Sequence, residues 1–115
     1  MNNVVLVGRL VRDPEVKKLD NEKEVSNITL AVTRNYKNEE GVYETDFIDC
    51  TLWNTIAKST AEYCKKGDIV GVKGRHESES YEKEGKTFYK TNIVVEKITF
   101  LSSKRELDKT DKELE

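Results

Sequence analysis

The stretch Thr45-Asp-Phe-Ile-Asp-Cys-Thr-Leu-Trp53 decides the fold, because its side chains alternate in character and the periodicity changes directly after it. Ile48, Cys50 and Leu52 fall on one side of an extended chain. Such a period of two is typical of a β-strand with one face against a core. The stretch therefore predicts a strand over residues 45–53.

After this strand the apolar spacing becomes 3.6 residues, which indicates a helix. Asn54 or Thr55 is suited to cap its N-terminus. The predicted buried face consists of Ile56, Thr60, Tyr63 and Cys64. Lys65 and Lys66 are expected in the last turn, where cations oppose the helix dipole, and Gly67 is a favourable residue to end the helix.

Four further segments have strand character, and all lie outside this central pair of elements. They are Val4–Arg12, Ser26–Thr33, Asp68–His76 and Phe88–Leu101, the last two joined by a hairpin that turns at Gly85. The order is three strands, one helix and two strands. It predicts an all-β fold, a five-stranded OB-fold barrel with one α-helix between strands 3 and 4, although other small α+β folds share this order.

Composition favours one intracellular domain. The chain has 115 residues, of which 37% are charged, and its net charge is −2. The strands end near residue 101, so we predict a domain over 1–101 and a charged, flexible tail over 102–115. The longest apolar run, Val4 to Val7, is far short of the roughly 20 residues that a bilayer requires. Nothing resembles a secretory signal, and we expect a cytoplasmic protein without membrane contact.

The residues give no support for an enzyme, a metal or a cofactor. Glycine-rich phosphate loops and HExxH motifs are missing. Asp46 and Asp49 are three positions apart on a strand, so they face opposite sides and cannot act as a catalytic pair. Cys50 is interpreted as a small core residue and His76 as a surface residue.

Aromatic residues on polar faces are the unusual feature of this sequence. Phe47 and Trp53 have the parity opposite to the apolar series of their strand. Large rings exposed to water indicate a partner, although they could instead pack under a loop, the helix or another subunit. Tyr81 shares parity with Lys73 and Arg75 on the next strand.

Tyr36 lies between Arg34 and Lys37, and its parity follows the apolar side of its strand. It belongs to the core unless the strand bends there. Rings that alternate with cations suit unpaired nucleic acid, because bases stack on the rings while cations follow the phosphates. The net negative charge requires that such binding depend on a local face.

At this point the sequence resembles a known family. The blocks that carry the resemblance are Asn3-Val-Val-Leu-Val-Gly-Arg-Leu-Val-Arg-Asp-Pro-Glu15, Ser26-Asn-Ile-Thr-Leu-Ala-Val-Thr-Arg34, Thr45 to Trp53, Lys66-Gly67, Val72-Lys-Gly-Arg75, Tyr81 and Tyr89. Together they are similar to the bacterial single-stranded DNA-binding protein family over residues 1–101. The resemblance implies an OB fold, a homotetramer and sequence-independent binding of single-stranded DNA in replication, recombination and repair, with recombination proteins as further partners.

The resemblance also implies site residues. Base stacking falls on Tyr36, Phe47, Trp53 and Tyr81, and phosphate contacts are expected at Arg9, Arg34, Lys37, Lys73 and Arg75. Two departures from the family pattern affect function. The first is that the given sequence shows no acidic tip with a terminal hydrophobic pair, so it is either truncated or a short natural form similar to competence-associated or mobile-element versions. The second is that Glu77, Glu79, Glu82 and Glu84 make the hairpin acidic, so we expect weaker phosphate contact there.

Two alternative functions remain open. One is a primosomal, replication-restart OB protein that binds protein partners as well as DNA. The other is an interaction module whose exposed rings are buried in a protein interface.

Overall fold

The computed structural model describes residues 1–102. Its elements are β1 (Val4–Leu10), β2 (Lys17–Lys18), β3 (Glu24–Lys37), β4 (Tyr43–Trp53), α1 (Asn54–Tyr63), β5 (Ile69–Lys83) and β6 (Lys86–Ser102). The predicted tail over 102–115 lies outside the described residues, apart from Ser102, which ends β6.

The five long strands close into a barrel. They are hydrogen-bonded in the order β1-β5-β6-β4-β3, and β1 pairs with β3 to complete the circle. All neighbours are antiparallel except β4 and β6, which are parallel at Cys50–Ile93 and Thr51–Val94. Because α1 lies between the third and fourth long strands, the arrangement is the expected five-stranded OB-type barrel.

The apolar series of the strands fills the barrel. Ile28, Leu30, Cys50, Leu52, Val70, Val72, Ile93 and Val95 are buried together with Leu10 on β1 and Ala57 on α1. Their alternation with exposed residues is what fixes the register, since a slip by one position would expose the whole set.

Two strand pairs extend beyond the barrel. The β3–β4 arm is formed by the distal parts of these strands around residues 33–45, and the β5–β6 arm by residues 77–92. The β5–β6 arm ends in a two-residue turn at Glu84 and Gly85, whose φ angles are 54° and 77°. Two consecutive positive φ angles are typical of the type I′ turn of a tight hairpin.

The helix is shorter than predicted. It begins at Asn54 without a side-chain cap, because the Asn54 Oδ1 accepts a hydrogen bond from the Glu24 amide (3.1 Å) on β3. It ends at Tyr63, so Lys65 and Lys66 do not form its last turn. Their amides are held instead by carboxylates, that of Lys65 by Asp68 (2.8 Å) and that of Lys66 by Asp13 (2.7 Å).

One residue of the predicted buried helix face is also wrong. Tyr63 is exposed and contacts the ring of Phe100, with 6.1 Å between the centroids. Ala57, Thr60 and Cys64 are the helix-side residues that are buried. Where α1 ends at Tyr63, the next residue, Cys64, enters the core, and the Tyr63 ring lies outside it against Phe100.

Candidate nucleic-acid interface

The outward face of β3 and β4 carries two exposed aromatic rings six residues apart on β4. Phe47 lies opposite Ala31 and Trp53 lies opposite Val25. Phe47 is 68% exposed, and Trp53, which faces the β5–β6 arm, is 37% exposed. The two rings are separated along the strand by about 20 Å, given about 3.3 Å per residue.

Between the two rings the face is polar and internally hydrogen-bonded. The Thr51 hydroxyl donates to the Asn27 Oδ1 (3.1 Å) and accepts from the Asn92 Nδ2 (2.5 Å). Next to it the Thr29 hydroxyl donates to an Asp49 carboxylate oxygen (2.8 Å). These bonds join β3, β4 and β6, so they hold the floor between the rings in one arrangement.

A groove of about 510 Å³ lies between this face and the β5–β6 arm. Trp53, Thr51, Asp49 and Asn27 line one side, and Glu79, Lys90 and Asn92 line the other. We call it the Trp53 groove. It places a ring, amide and hydroxyl groups and both signs of charge around one open channel.

The Trp53 groove continues into a second cavity of about 470 Å³, because Arg12, Val25 and Asn27 line both. Lys17 and Lys66 line this second cavity together with the carboxylates of Asp13 and Glu15, and we call the two cavities together the extended groove. The sequence analysis did not assign the three cations of this groove to the site: it placed Arg12 at the end of the first strand and Lys66 in the helix, and Lys17 lies in a two-residue strand that gives no periodic pattern. Their meeting depends on tertiary structure.

Tyr81 lies on the β5–β6 arm, directly opposite Phe88. Their rings are stacked, with 5.5 Å between centroids and 21° between planes, and both stay about half exposed. Tyr81 has the same parity on β5 as Glu79, which lines the Trp53 groove. Phe88 was missed, although the hairpin turn at Gly85 sets the register that places it across from Tyr81.

Tyr36 is exposed rather than buried in the core, with 59% of its surface accessible. The register of β3 against β4 shifts between Thr33 and Lys37, so the pairing of the two strands is irregular here. The buried positions of β3 end at Leu30, so Tyr36 lies in the β3–β4 arm beyond the core, and its parity does not bury it. Beside the ring, the Arg34 guanidinium lies 5.9 Å from its centroid.

Arg34 is held by two carboxylates. Its Nε and Nη2 donate to the two Asp46 oxygens at 3.1 and 2.9 Å, and its Nη1 donates to Glu44 at 2.6 Å. The hydrogen bond from Arg34 holds the pKa of the Asp46 carboxyl below its usual value. The same pair raises the pKa of Arg34.

Two other predicted phosphate contacts also have protein neighbours. The Arg9 Nη1 donates to the Gly67 carbonyl at 3.0 Å. The Lys37 ammonium lies 5.6 Å from the centroid of the Tyr43 ring, its cross-strand neighbour on β4.

Arg75 and Lys73 complete the predicted set. Arg75 pairs with Glu77 at 3.2 Å and also with a carboxylate of β6. Lys73 lies between Val5 and Lys97 in the sheet. Within residues 1–102, none of the five predicted phosphate contacts lines the Trp53 groove.

Neither thiol is part of this interface. Cys50 and Cys64 are both buried and unpaired. Burial, together with nearby Asp49, raises the pKa of the Cys50 thiol to about 11. Burial also raises the pKa of Cys64 to about 11, with a further contribution from Asp68.

Two other kinds of site are missing from the part of the chain that the structure describes. It holds no group of three or more His, Cys, Asp or Glu side chains that could bind a metal ion. None of its helices has the length and apolar character needed to cross a membrane.

Comparison with known proteins agrees with this geometry. The model of the single-strand binding protein family matches residues 1–101. The chain is 43% identical to single-stranded DNA-binding protein B of Bacillus subtilis, over 90% of this chain and 92% of the relative. It is 44% identical to the single-stranded DNA-binding protein of Oceanobacillus iheyensis and 46% identical to single-stranded DNA-binding protein 3 of Listeria innocua.

The chain spans 65% and 66% of the length of the Oceanobacillus and Listeria proteins, so these relatives are longer. The match nevertheless covers the whole barrel and both arms. By the extent of this match, the chain belongs to the single-strand binding protein family.

Proposed function

We propose that this protein binds single-stranded DNA without sequence specificity and has no catalytic activity. The observation that carries the proposal is the pair of exposed rings, Phe47 and Trp53, on one polar strand face. The names of its relatives, which describe single-stranded DNA binding, support the same function.

The arrangement suits unpaired strands for a physical reason. Each base that stacks on an aromatic ring contributes about 1–3 kcal/mol, and any base can do so because all have a π-face. A duplex hides these faces, so it gains only the phosphate contacts. The hydrogen-bonded floor between the rings keeps them at a fixed spacing, which reduces the entropy lost on binding.

Four rings are proposed to stack on bases: Tyr36, Phe47, Trp53 and Tyr81. The proposed phosphate contacts are Arg9, Lys37, Lys73 and Arg75, together with Arg12, Lys17 and Lys66 along the extended groove. Arg34 is a weaker candidate, because its guanidinium already binds two carboxylates. On the β5–β6 arm, Lys90 lies directly opposite Glu79 in the lining of the Trp53 groove, so the proposed weakness of phosphate contact there depends on the balance of these two charges.

Self-association is proposed through β1. This strand pairs with β5 along Val4–Arg9 but with β3 only at Arg9 and Leu10, and its outward-facing Val5 and Val7 are exposed. An uncovered strand edge beside apolar side chains favours pairing with a second copy. An isologous dimer through β1, doubled to a homotetramer, would bury both the strand edge and these valine side chains. A monomeric mass by light scattering at micromolar concentration would reject this assembly.

The biological setting follows from the family. We propose a cytoplasmic protein that protects single strands during replication, recombination and repair, and that holds them for recombination proteins. A role in competence is a narrower form of the same proposal.

Titration of the intrinsic fluorescence of Trp53 tests the function, because it is the only tryptophan of the chain. Oligo(dT) should quench it, while duplex DNA of equal length should bind far more weakly at the same salt concentration. Phe47→Ala, which keeps the reporter, should weaken oligo(dT) binding by about 1–3 kcal/mol. Unchanged fluorescence with every oligonucleotide would support the protein-interaction module instead.

A further inference from the structure

Arg34 has its strongest contacts within the protein. It reaches across from β3 to β4 and binds both oxygens of Asp46, while its remaining amino group binds Glu44. Two parallel N–H···O bonds to one carboxylate are the most directional form of ion pair. Three of its five N–H groups are thus occupied, and a phosphate at the remaining two would lie beside two carboxylates that repel it.

The same guanidinium lies beside an aromatic ring. Arg34 and Tyr36 flank Asn35 in the irregularly paired part of β3, and 5.9 Å separates the guanidinium carbon from the ring centroid. This distance is within the range of a cation–π contact, which is about 6 Å. Arg34 therefore links the carboxylates of β4 to the ring of β3.

Tyr36 has little support from the sheet around it. Between Thr33 and Lys37 the regular ladder with β4 is interrupted, and the ring is mostly exposed. Ordering one mobile side chain on binding costs about 0.5–1.5 kcal/mol, equal to about a 2- to 12-fold change in affinity. A ring that is already oriented avoids part of this loss.

We propose that Arg34, Asp46 and Glu44 form a clamp that orients Tyr36 for base stacking, so that Arg34 is a positioning residue and not a phosphate contact. This inference rests on the single-strand binding proposed above. The two carboxylates would then favour the binding of single-stranded DNA, although their negative charge alone would weaken it.

The experiment measures oligo(dT) affinity through Trp53 fluorescence at several salt concentrations. Asp46→Asn removes a negative charge, so simple electrostatics predicts tighter binding, whereas the clamp predicts binding weaker by about 2- to 12-fold. Arg34→Lys keeps the charge but loses the planar two-point geometry, and it should weaken binding as well. Glu40→Gln, in the exposed turn of the same arm, is the matched control and should bind at least as tightly as the parent.

Two further readouts separate the clamp from a phosphate contact and from general destabilisation. Arg34→Gln should leave the slope of log K against log salt unchanged, whereas loss of a phosphate contact lowers its magnitude by about 0.7. In a Tyr36→Ala background, Arg34→Gln should cause no additional loss, because the ring that it orients is already removed. Thermal unfolding of each variant establishes that the barrel remains folded.

The outcomes distinguish the two proposals. If the parent fails to bind oligo(dT), single-strand binding itself is wrong. If the parent binds and Tyr36→Ala weakens it, but Asp46→Asn binds as tightly or more tightly, only the clamp is wrong. Equal binding by Tyr36→Ala and the parent, or an Arg34→Gln variant with a reduced salt slope, also overturns the clamp.

Discussion

Tyr81 and Phe88 face each other across β5 and β6, and their rings stack with 5.5 Å between centroids. The pair lies near the end of an arm on which Glu79 and Glu82 are close in sequence. Stacked cross-strand rings restrict each other's rotation, and such pairs contribute about 0.5–1.5 kcal/mol beyond area burial. The arm therefore offers a supported aromatic surface, on which the lysine opposite Glu79, Lys90, is offset by the acidic side chains.

The first prediction is that Phe88 contributes to binding through this pair. Phe88→Ala should weaken oligo(dT) binding by about 1–3 kcal/mol, as Tyr81→Ala should, because the stacking surface loses a ring or its support. Tyr89 is the next residue and also exposed, but it points to the opposite side of the strand, so Tyr89→Ala is a matched control.

Fluorescence titration of the three variants checks this prediction. Tyr89→Ala should bind like the parent. Equal losses for Phe88→Ala and Tyr89→Ala would show that the arm matters only through its general stability, and the assignment of one face would be wrong.

The barrel could be predicted from sequence because its signals are local. The alternation in Ile28-Leu30 and in Ile48-Cys50-Leu52 predicts directly which side chains are buried. Four of the five are in the buried core, and Ile48 is partly buried against it. The same alternation also indicated that Phe47 and Trp53 face outward. Such a pattern needs no knowledge of what lies across the sheet.

The missed features depend on tertiary contacts. Tyr36 has core parity, yet it lies in the β3–β4 arm past Leu30, the last buried residue of β3, and the sequence does not show where along the strand the core ends. The helix ends early because Asp13 and Asp68 bind the amides that would have continued it. Asp13 is distant in sequence, so periodicity within the helix could not reveal its effect.

A second prediction concerns the extended groove. If phosphates follow it past Arg12, then Arg12→Ala should reduce the magnitude of the slope of log K against log salt by about 0.7, the value for one contact on a single strand. Lys58→Ala removes a cation of α1 that pairs with Glu24 at 3.4 Å and lines neither cavity of the groove. The salt slope of Lys58→Ala should equal that of the parent. A similar change of slope in Arg12→Ala and Lys58→Ala would indicate only an effect of net charge.

The third prediction is the titration of Asp46. Because its pKa is lowered in the folded state by the hydrogen bond from Arg34, ionised Asp46 stabilises the fold above the pKa of the unfolded chain. This stabilisation is lost as the pH falls through the lower, folded-state pKa. Carboxyl-resolved NMR should show the shift, and Arg34→Gln should move the pKa back toward its ordinary value. An unchanged Asp46 titration in that variant would mean that the pair does not persist in solution.

A fourth prediction follows from the raised pKa of the two thiols. With pKa values of about 11, Cys50 and Cys64 are almost fully protonated at pH 8. The thiolate is the reactive form, and burial also blocks access. A thiol reagent should therefore modify the native protein slowly and the denatured protein rapidly. Rapid reaction of one thiol under native conditions would reveal local opening around that cysteine.

The last prediction uses two glycines of β5. At Gly74 an added Cβ would overlap the carbonyl oxygen of Val94 and lie 3.2 Å from the Cα of Val95. These are backbone atoms at the register shift of β5 and β6, so they cannot move without disturbing the barrel. Gly74→Ala should lower the free energy of unfolding by about 1–3 kcal/mol or more.

Gly71→Ala is the matched control, because its nearest atom would be a Leu101 methyl at 3.6 Å, an ordinary contact. We expect a change within about 0.5 kcal/mol. Urea unfolding of both variants at equal protein concentration checks the difference, since the proposed self-association would make stability depend on concentration. Equal stability of Gly74→Ala and the parent would mean that β5 and β6 are not packed as closely in solution as the register shift requires.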